Sequence, residues 1–187
     1  TVERTKTVYF SLSRDGEYLT GNDADQTMLA AVPVKITWFD LADYGLEEFS
    51  VKSNGKVVEQ PTMLHLLIRM AEQYKLNGTK TTNGSNELSV SGKFGSMFFT
   101  KFWDGTSNLT YYLNHAYAQM KPGIGATVDY MTLENGGFVE VGLYSDPNYW
   151  KSPAAGYAYL AKPDGTAVDR LGLTAREAQT LVLHRAG

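Results

Sequence analysis

The sequence predicts an α+β domain. Three observations carry this: about eight or nine short runs rich in β-branched and aromatic residues, one segment with helical periodicity, and a length of 187 residues, suited to a single domain of roughly 100–200 residues. One helix among many strands implies a helix packed on one face of a sheet. Hydrophobic residues make up 43% and charged residues 20%, so a chain of this size can bury a core without staples.

The strands follow in order. Thr7 to Leu12 alternates β-branched and aromatic residues and runs into Asp15-Gly16, a turn that predicts a hairpin with Tyr18-Leu19. Val32 to Phe39 is the next strand; Pro33 has no N–H for a ladder, so this strand starts at an edge or at its first residue. Asp40 to Glu47 is a loop or a short helical turn. Phe49 to Lys52 and Lys56 to Glu59 flank Asn54-Gly55, the pair preferred in a type I′ hairpin turn. The helix opens at Pro61-Thr62 and carries Met63, Leu66, Leu67, Met70, Ala71 and Tyr74 on one stripe. It ends near Leu76, where Asn77-Gly78 supplies a left-handed cap. A polar loop over 77–86 follows. Ser96 to Trp103, Leu109 to Asn114 and Phe138 to Tyr144 are the clearest later strands. In the last of these, Val139, Val141 and Leu143 share one face, opposite Phe138, Glu140, Gly142 and Tyr144.

The chain divides at a turn-rich connector, Lys162 to Thr166. Residues 1–161 read as the domain and 162–187 as a connector with a final strand-like run, Thr180 to His184. That run closes the sheet or opens a following domain. The chain begins Thr1-Val2-Glu3-Arg4 and reads as a piece of a longer protein. Its most apolar stretch, Leu64 to Met70, holds His65 and Arg69, so no membrane span is expected.

Composition excludes several chemistries. The absence of cysteine removes disulfides, thiolate metal sites and a thiol nucleophile. A net charge of −3, from 17 basic and 20 acidic residues, argues against nucleic acid, which favours a basic stripe. The three histidines are scattered, with no His-x-x-x-His pair. Asp23-Ala24-Asp25 starts like a calcium loop, but Met28 and Val34 occupy the places that need Gly and Glu. Ser53-Asn54-Gly55-Lys56 has the Ser-x-x-Lys spacing, yet its Asn-Gly centre suits a hairpin rather than a helix start. No nucleophile elbow or phosphate-cradling loop occurs. Asn77, Asn83 and Asn108 head Asn-x-Ser/Thr triplets. No catalytic or metal-ligating residue is expected.

The surplus is in tyrosine: 12 residues, within an aromatic content of 12%. The rings gather in three clusters: Phe94, Phe98, Phe99, Phe102 and Trp103; Tyr111, Tyr112 and Tyr117; and Tyr144, Tyr149, Trp150, Tyr157 and Tyr159. Strand alternation puts Phe98 with Phe102 on one face and Phe99 with Trp103 on the other, and points Tyr111 and Tyr112 apart. One face is core. The other packs under a loop or forms an aromatic groove for a flat, sugar-like or peptide ligand. Tyr149-Trp150, inside the loop from Asp146 to Pro153, is the best local hint of a binding loop.

Several motifs recur in a known order: Pro61 to Leu67, Gly95 to Phe99, Trp103, Tyr111-Tyr112-Leu113-Asn114, Pro122-Gly123-Ile124-Gly125, Asp129-Tyr130, Leu133, and Asn135 to Glu140. Over roughly Thr5 to Leu160 the chain resembles a domain family of unknown function that is similar to the C-terminal domain of transcobalamin and includes many modules of Gram-positive surface proteins. Asn114-His115 and Gly136-Gly137 depart from its usual Asn-Gly and Gly-Asp; both are turn positions. The resemblance implies a β-grasp fold, a mixed sheet curling around one main helix at about 62–76 with extra hairpins. It implies candidate ligand contacts at Trp103, Tyr111, Tyr112, Asn114, Tyr117, Tyr149 and Trp150, and no catalytic residues. The expected role is a non-catalytic module of a secreted or wall-anchored Gram-positive protein, joined to other domains of its chain. It binds a small ligand, with a corrinoid such as cobalamin as the sharpest option and no other cofactor. The alternative is an adhesion or spacer module of a surface stalk, meeting a surface glycan or protein.

Overall fold

A computed structural model describes residues 2–93, 96–121, 124–152 and 156–185. Phe94, Gly95, Pro122, Gly123 and Pro153, which the sequence motifs include, lie outside the described residues. The elements are β1 (Thr5–Arg14), β2 (Glu17–Tyr18), β3 (Val32–Thr37), β4 (Lys52–Ser53), β5 (Lys56–Val57), α1 (Met63–Met70), β6 (Leu88–Lys93), β7 (Ser96–Phe102), β8 (Leu109–Leu113), β9 (Ala116–Tyr117), β10 (Gln119–Lys121), β11 (Ile124–Gly125), β12 (Phe138–Leu143), β13 (Ala158–Ala161) and β14 (Val182–Arg185). Strands dominate, with one short α-helix among the described residues, as the sequence predicts.

The main sheet runs β2-β1-β12-β8-β9, with β3 also paired to β1. β1 and β12 are parallel, with Phe10 beside Val139 and Leu12 beside Val141. The other pairings in this sheet are antiparallel. A parallel pair needs a long crossover, and here it contains the helix and most of the chain. Short hairpins use left-handed residues where the sequence places them: Asp15 and Gly16 at φ 50° and 89°, Asn54 and Gly55 at 50° and 76°. Both central residues at positive φ is the type I′ geometry that matches strand twist. Pro33 lies near the start of β3 opposite Tyr9, in a strand that among the described residues pairs with β1 alone, where its missing N–H costs no ladder bond.

Period-two alternation sends Val8, Phe10 and Leu12 of β1, Val34 and Ile36 of β3, and Val139, Val141 and Leu143 of β12 into one buried cluster with α1. The helix continues from Met70 through a π-type turn over Ala71–Lys75. Its predicted stripe is buried, and so are Leu64 and Ile68 on its flanks. The segment before β12 covers that side: Leu64 N–H donates to Val128 O and Met63 N–H to Met131 O. His65 caps the helix start. Thr62 N–H donates to its Nδ1 at 3.1 Å, and Nε2 donates to Phe39 O at 3.1 Å. A carbonyl only accepts, so Nε2 carries the hydrogen and Nδ1 is the acceptor. Burial pushes this imidazole down to about 4.

The β6–β7 hairpin corrects one expectation. Leu88 pairs with Phe102 and Val90 with Phe99, with a register shift between Ser89 and Val90. The extra residue on β7 is Thr100, a β-bulge that changes the phase of alternation. Phe99 and Phe102 therefore share a face, with ring centroids 5.3 Å apart. Phe102 is fully buried, whereas Phe98 is 48% exposed. Toward the C-terminus, β14 pairs antiparallel with β13, Tyr159 opposite His184, in a two-stranded sheet of its own.

Candidate functional site

The sheet face opposite the helix carries the tyrosines. β1 presents Tyr9, Ser11 and Ser13 there, because Phe10 and Leu12 point into the core. Register then places Phe138, Glu140 and Gly142 of β12 beside them, Tyr112 of β8 beside Glu140, Tyr18 of β2 beside Ser13, and Tyr117 of β9 beside Tyr112. The stretch 157–185 comes back over part of this face through stacked rings. Tyr157 stacks on Tyr112 at 4.2 Å, Tyr159 on His115 at 4.9 Å, and His184 on Tyr159 at 5.6 Å. At the rim, Tyr144 and Tyr149 stack face to face at 4.2 Å with planes 1° apart.

These elements enclose a hollow of about 390 Å³. Tyr18, Tyr112, Tyr144, Tyr149 and Tyr157 line it, with the carboxyls of Asp15, Glu140 and Asp146. Ser11, Ser13 and Gly142 form part of its floor. Several phenols are tied to the protein: Tyr149 donates to Leu109 O at 3.1 Å, Tyr144 Oη meets Thr110 Oγ1 at 3.3 Å, and Tyr157 meets Glu140. The rings thus offer faces more than hydroxyls. Burial raises the phenols of Tyr112 and Tyr149 above their usual range, and neighbouring tyrosines add to the effect.

One wall is a chain of hydrogen bonds. Glu140 Oε2 meets Tyr157 Oη, Tyr157 Oη lies 2.6 Å from His115 Nδ1, and His115 Nε2 lies 2.6 Å from Asp169 Oδ1. Three contacts need three hydrogens. Tyr157 and a neutral imidazole supply two. The chain is complete with one more proton, held as an imidazolium between two carboxylates or as a protonated Glu140. Burial pushes the Glu140 carboxyl up to about 7; His115 opposes this and Asp169 reinforces it.

The sequence-derived candidates separate. Tyr112 and Tyr149 line the hollow. Tyr117 meets Tyr112 edge-on at 6.2 Å and is 46% exposed. Trp150, beside Tyr149, is 68% exposed, with Lys151 Nζ over its ring. Asn114 brackets two strands, its Oδ1 accepting from Phe138 N–H at 2.9 Å. Tyr111 packs against the core beneath the sheet, where burial pushes its phenol up to about 12. Trp103 is 4% exposed, at φ 63°, and packs on Phe102 away from the hollow. Sequence reasoning missed Glu140, His115, Tyr18 and Asp169. Glu140 and Tyr18 follow from strand register, which needs the β1–β12 pairing; His115 and Asp169 meet 54 residues apart, and no local pattern signals that.

On the helix side, Asp129 is 4% exposed with Oδ1 unpartnered, and burial raises its carboxyl. Among the described residues no cluster of three or more His, Cys, Asp or Glu side chains could hold a metal ion, and no helix is long and apolar enough to cross a membrane. The chain matches no family model, no curated protein and no solved structure.

Proposed function

We propose that the chain is a non-catalytic binding module of a secreted or wall-anchored bacterial protein, and that it holds a small ligand in the tyrosine-lined hollow. The hollow carries this reading: five rings and three carboxyls converge on about 390 Å³, within the roughly 300–1,000 Å³ of small-molecule sites. A β-grasp fold agrees with the order β3-β1-β12-β8-β9, its parallel middle pair, and a helix between β3 and β8. The transcobalamin-like resemblance points to the same fold. The volume favours a ligand much smaller than a corrinoid.

A second reading, an adhesion or spacer module, draws on the exposed Trp150, Leu173 and Leu183, apolar groups that suit contact with another surface. A fragment screen by amide NMR separates the two. Small ligands that shift Tyr18, Tyr112, Gly142 and Tyr149 support the binding module. A screen, with cobalamin included, that moves none of these amides contradicts it.

A further inference from the structure

Resting on that reading of the hollow, we propose that its ligand is an organic cation: a small molecule carrying an alkylated ammonium group, held against the tyrosine faces and the Glu140 carboxylate. The first ground is the lining. It contains five tyrosines and three carboxyls and, among the described residues, no Lys, Arg or His side chain. Of the basic residues next to the lining, Arg14 pairs with Asp104 and Lys151 lies over Trp150, while the Arg185 guanidinium sits against Gly156 at the edge of the hollow and His115 lies behind Tyr157, between Glu140 and Asp169.

The second ground is what the rings present. Two stacked pairs, Tyr112–Tyr157 and Tyr144–Tyr149, flank the hollow with several hydroxyls already bonded to protein. A neutral polyol needs donors as well as acceptors, which the lining supplies from serine hydroxyls such as that of Ser13 and from its carboxyls. An ammonium group needs neither: the negative face of an aromatic ring attracts it directly, most strongly where water is excluded.

The third ground is the proton count. Glu140 faces Tyr18 from β2, Tyr112 from β8, His115 from the β8–β9 turn, and Tyr157 and Asp169 from the C-terminal stretch. The hydrogen-bond chain holds one proton between two carboxylates, so the wall keeps a net negative charge. Asp15 adds to it: Ser145 donates to both its oxygens, which holds this carboxyl below its usual range. A bound cation compensates that charge and competes with the shared proton, so binding releases part of a proton at neutral pH.

The test uses the whole chain and two probes of equal shape, choline and its neutral isostere 3,3-dimethylbutan-1-ol, with glucose as a neutral polyol. Tyrosine ring resonances are followed by NMR at pH 7.5. The expected result is saturable choline binding, at least about tenfold tighter than the isostere or glucose, with proton uptake by buffer visible in calorimetry. Tyr149→Leu should weaken choline about three- to tenfold, while Tyr149→Phe, which keeps the ring, should not. Glu140→Gln should weaken choline and leave the isostere unchanged. If the isostere or glucose binds as well as choline, the cation assignment is overturned and the hollow stands as a site. If none of these probes nor cobalamin moves the rings, both readings are overturned.

Discussion

The ring of Tyr157 lies 4.2 Å from that of Tyr112, nearly parallel to it, and its hydroxyl reaches Glu140 on the neighbouring strand. With Tyr159 stacked on His115 and Asp169 bonded to the same imidazole, this contact joins the C-terminal stretch to the outer face of the sheet, and it builds a wall of the hollow. Removing the ring removes the wall and weakens the junction. Tyr157→Ala should cost about 2 kcal/mol, the worth of a half-buried stacked ring, and should speed hydrogen exchange in β14. Tyr157→Phe keeps the stack and loses only the hydroxyl, costing about 1 kcal/mol. Equal exchange rates in wild type and Tyr157→Ala would mean that the stack does not anchor this stretch.

The pH dependence follows from the same wall. Glu140 titrates near 7 in the fold and near 4.5 in the free state. The folded chain therefore holds a proton that the unfolded chain has released between those values. The contribution is fully present below about 4.5 and is lost as pH rises through about 7. Its size is on the order of 1–3 kcal/mol, shared with His115 and Asp169. Urea denaturation at pH 5.5 and pH 8 should show lower stability at pH 8, and Glu140→Gln should flatten the difference.

His65 acts in the opposite direction. Its folded value is depressed to about 4, against about 6.5 when exposed. Stability is complete above about 6.5 and is lost as pH falls through about 4. Gln at this third helical position can still accept from Thr62 N–H, as in a capping box, but cannot take up a proton. His65→Gln should therefore weaken the protein at pH 7, through the lost Phe39 contact, yet shift the acid unfolding midpoint to lower pH. An unchanged acid midpoint would contradict the burial argument.

The β7 bulge separates two phenylalanines that simple alternation makes equivalent. Phe102→Ala should cost about 3–5 kcal/mol, as for a fully buried ring, and Phe98→Ala under about 1 kcal/mol. Similar losses at the two sites, measured by chemical denaturation, would place both in the core.

That bulge also shows where the sequence stops being legible. Local patterns carry far: Asp15-Gly16, Asn54-Gly55, the stripe on α1 and the alternation of Val139, Val141 and Leu143 all state conformations that neighbouring residues enforce. Thr100 carries no mark of an inserted residue, because a bulge is decided by pairing with Ser89 and Val90. The same holds for the site. Tyr112 and Tyr149 are visible as aromatics in plausible places, but the hollow depends on β1 lying parallel to β12, which puts Ser11 beside Glu140. Trp103 fits a ligand contact equally well on paper, and its left-handed backbone and burial come from the turn after β7.

The proposal is that the five-tyrosine hollow on the outer sheet face takes an organic cation. The most direct measurement is a choline titration of protein carrying ¹³C-labelled tyrosine rings, with each resonance assigned. Binding in the hollow should give saturable shifts at Tyr18, Tyr112, Tyr144, Tyr149 and Tyr157, with Tyr44 and Tyr74 on the helix side unmoved. Shifts confined to Tyr44 and Tyr74, or no saturable shift at the five, would contradict it.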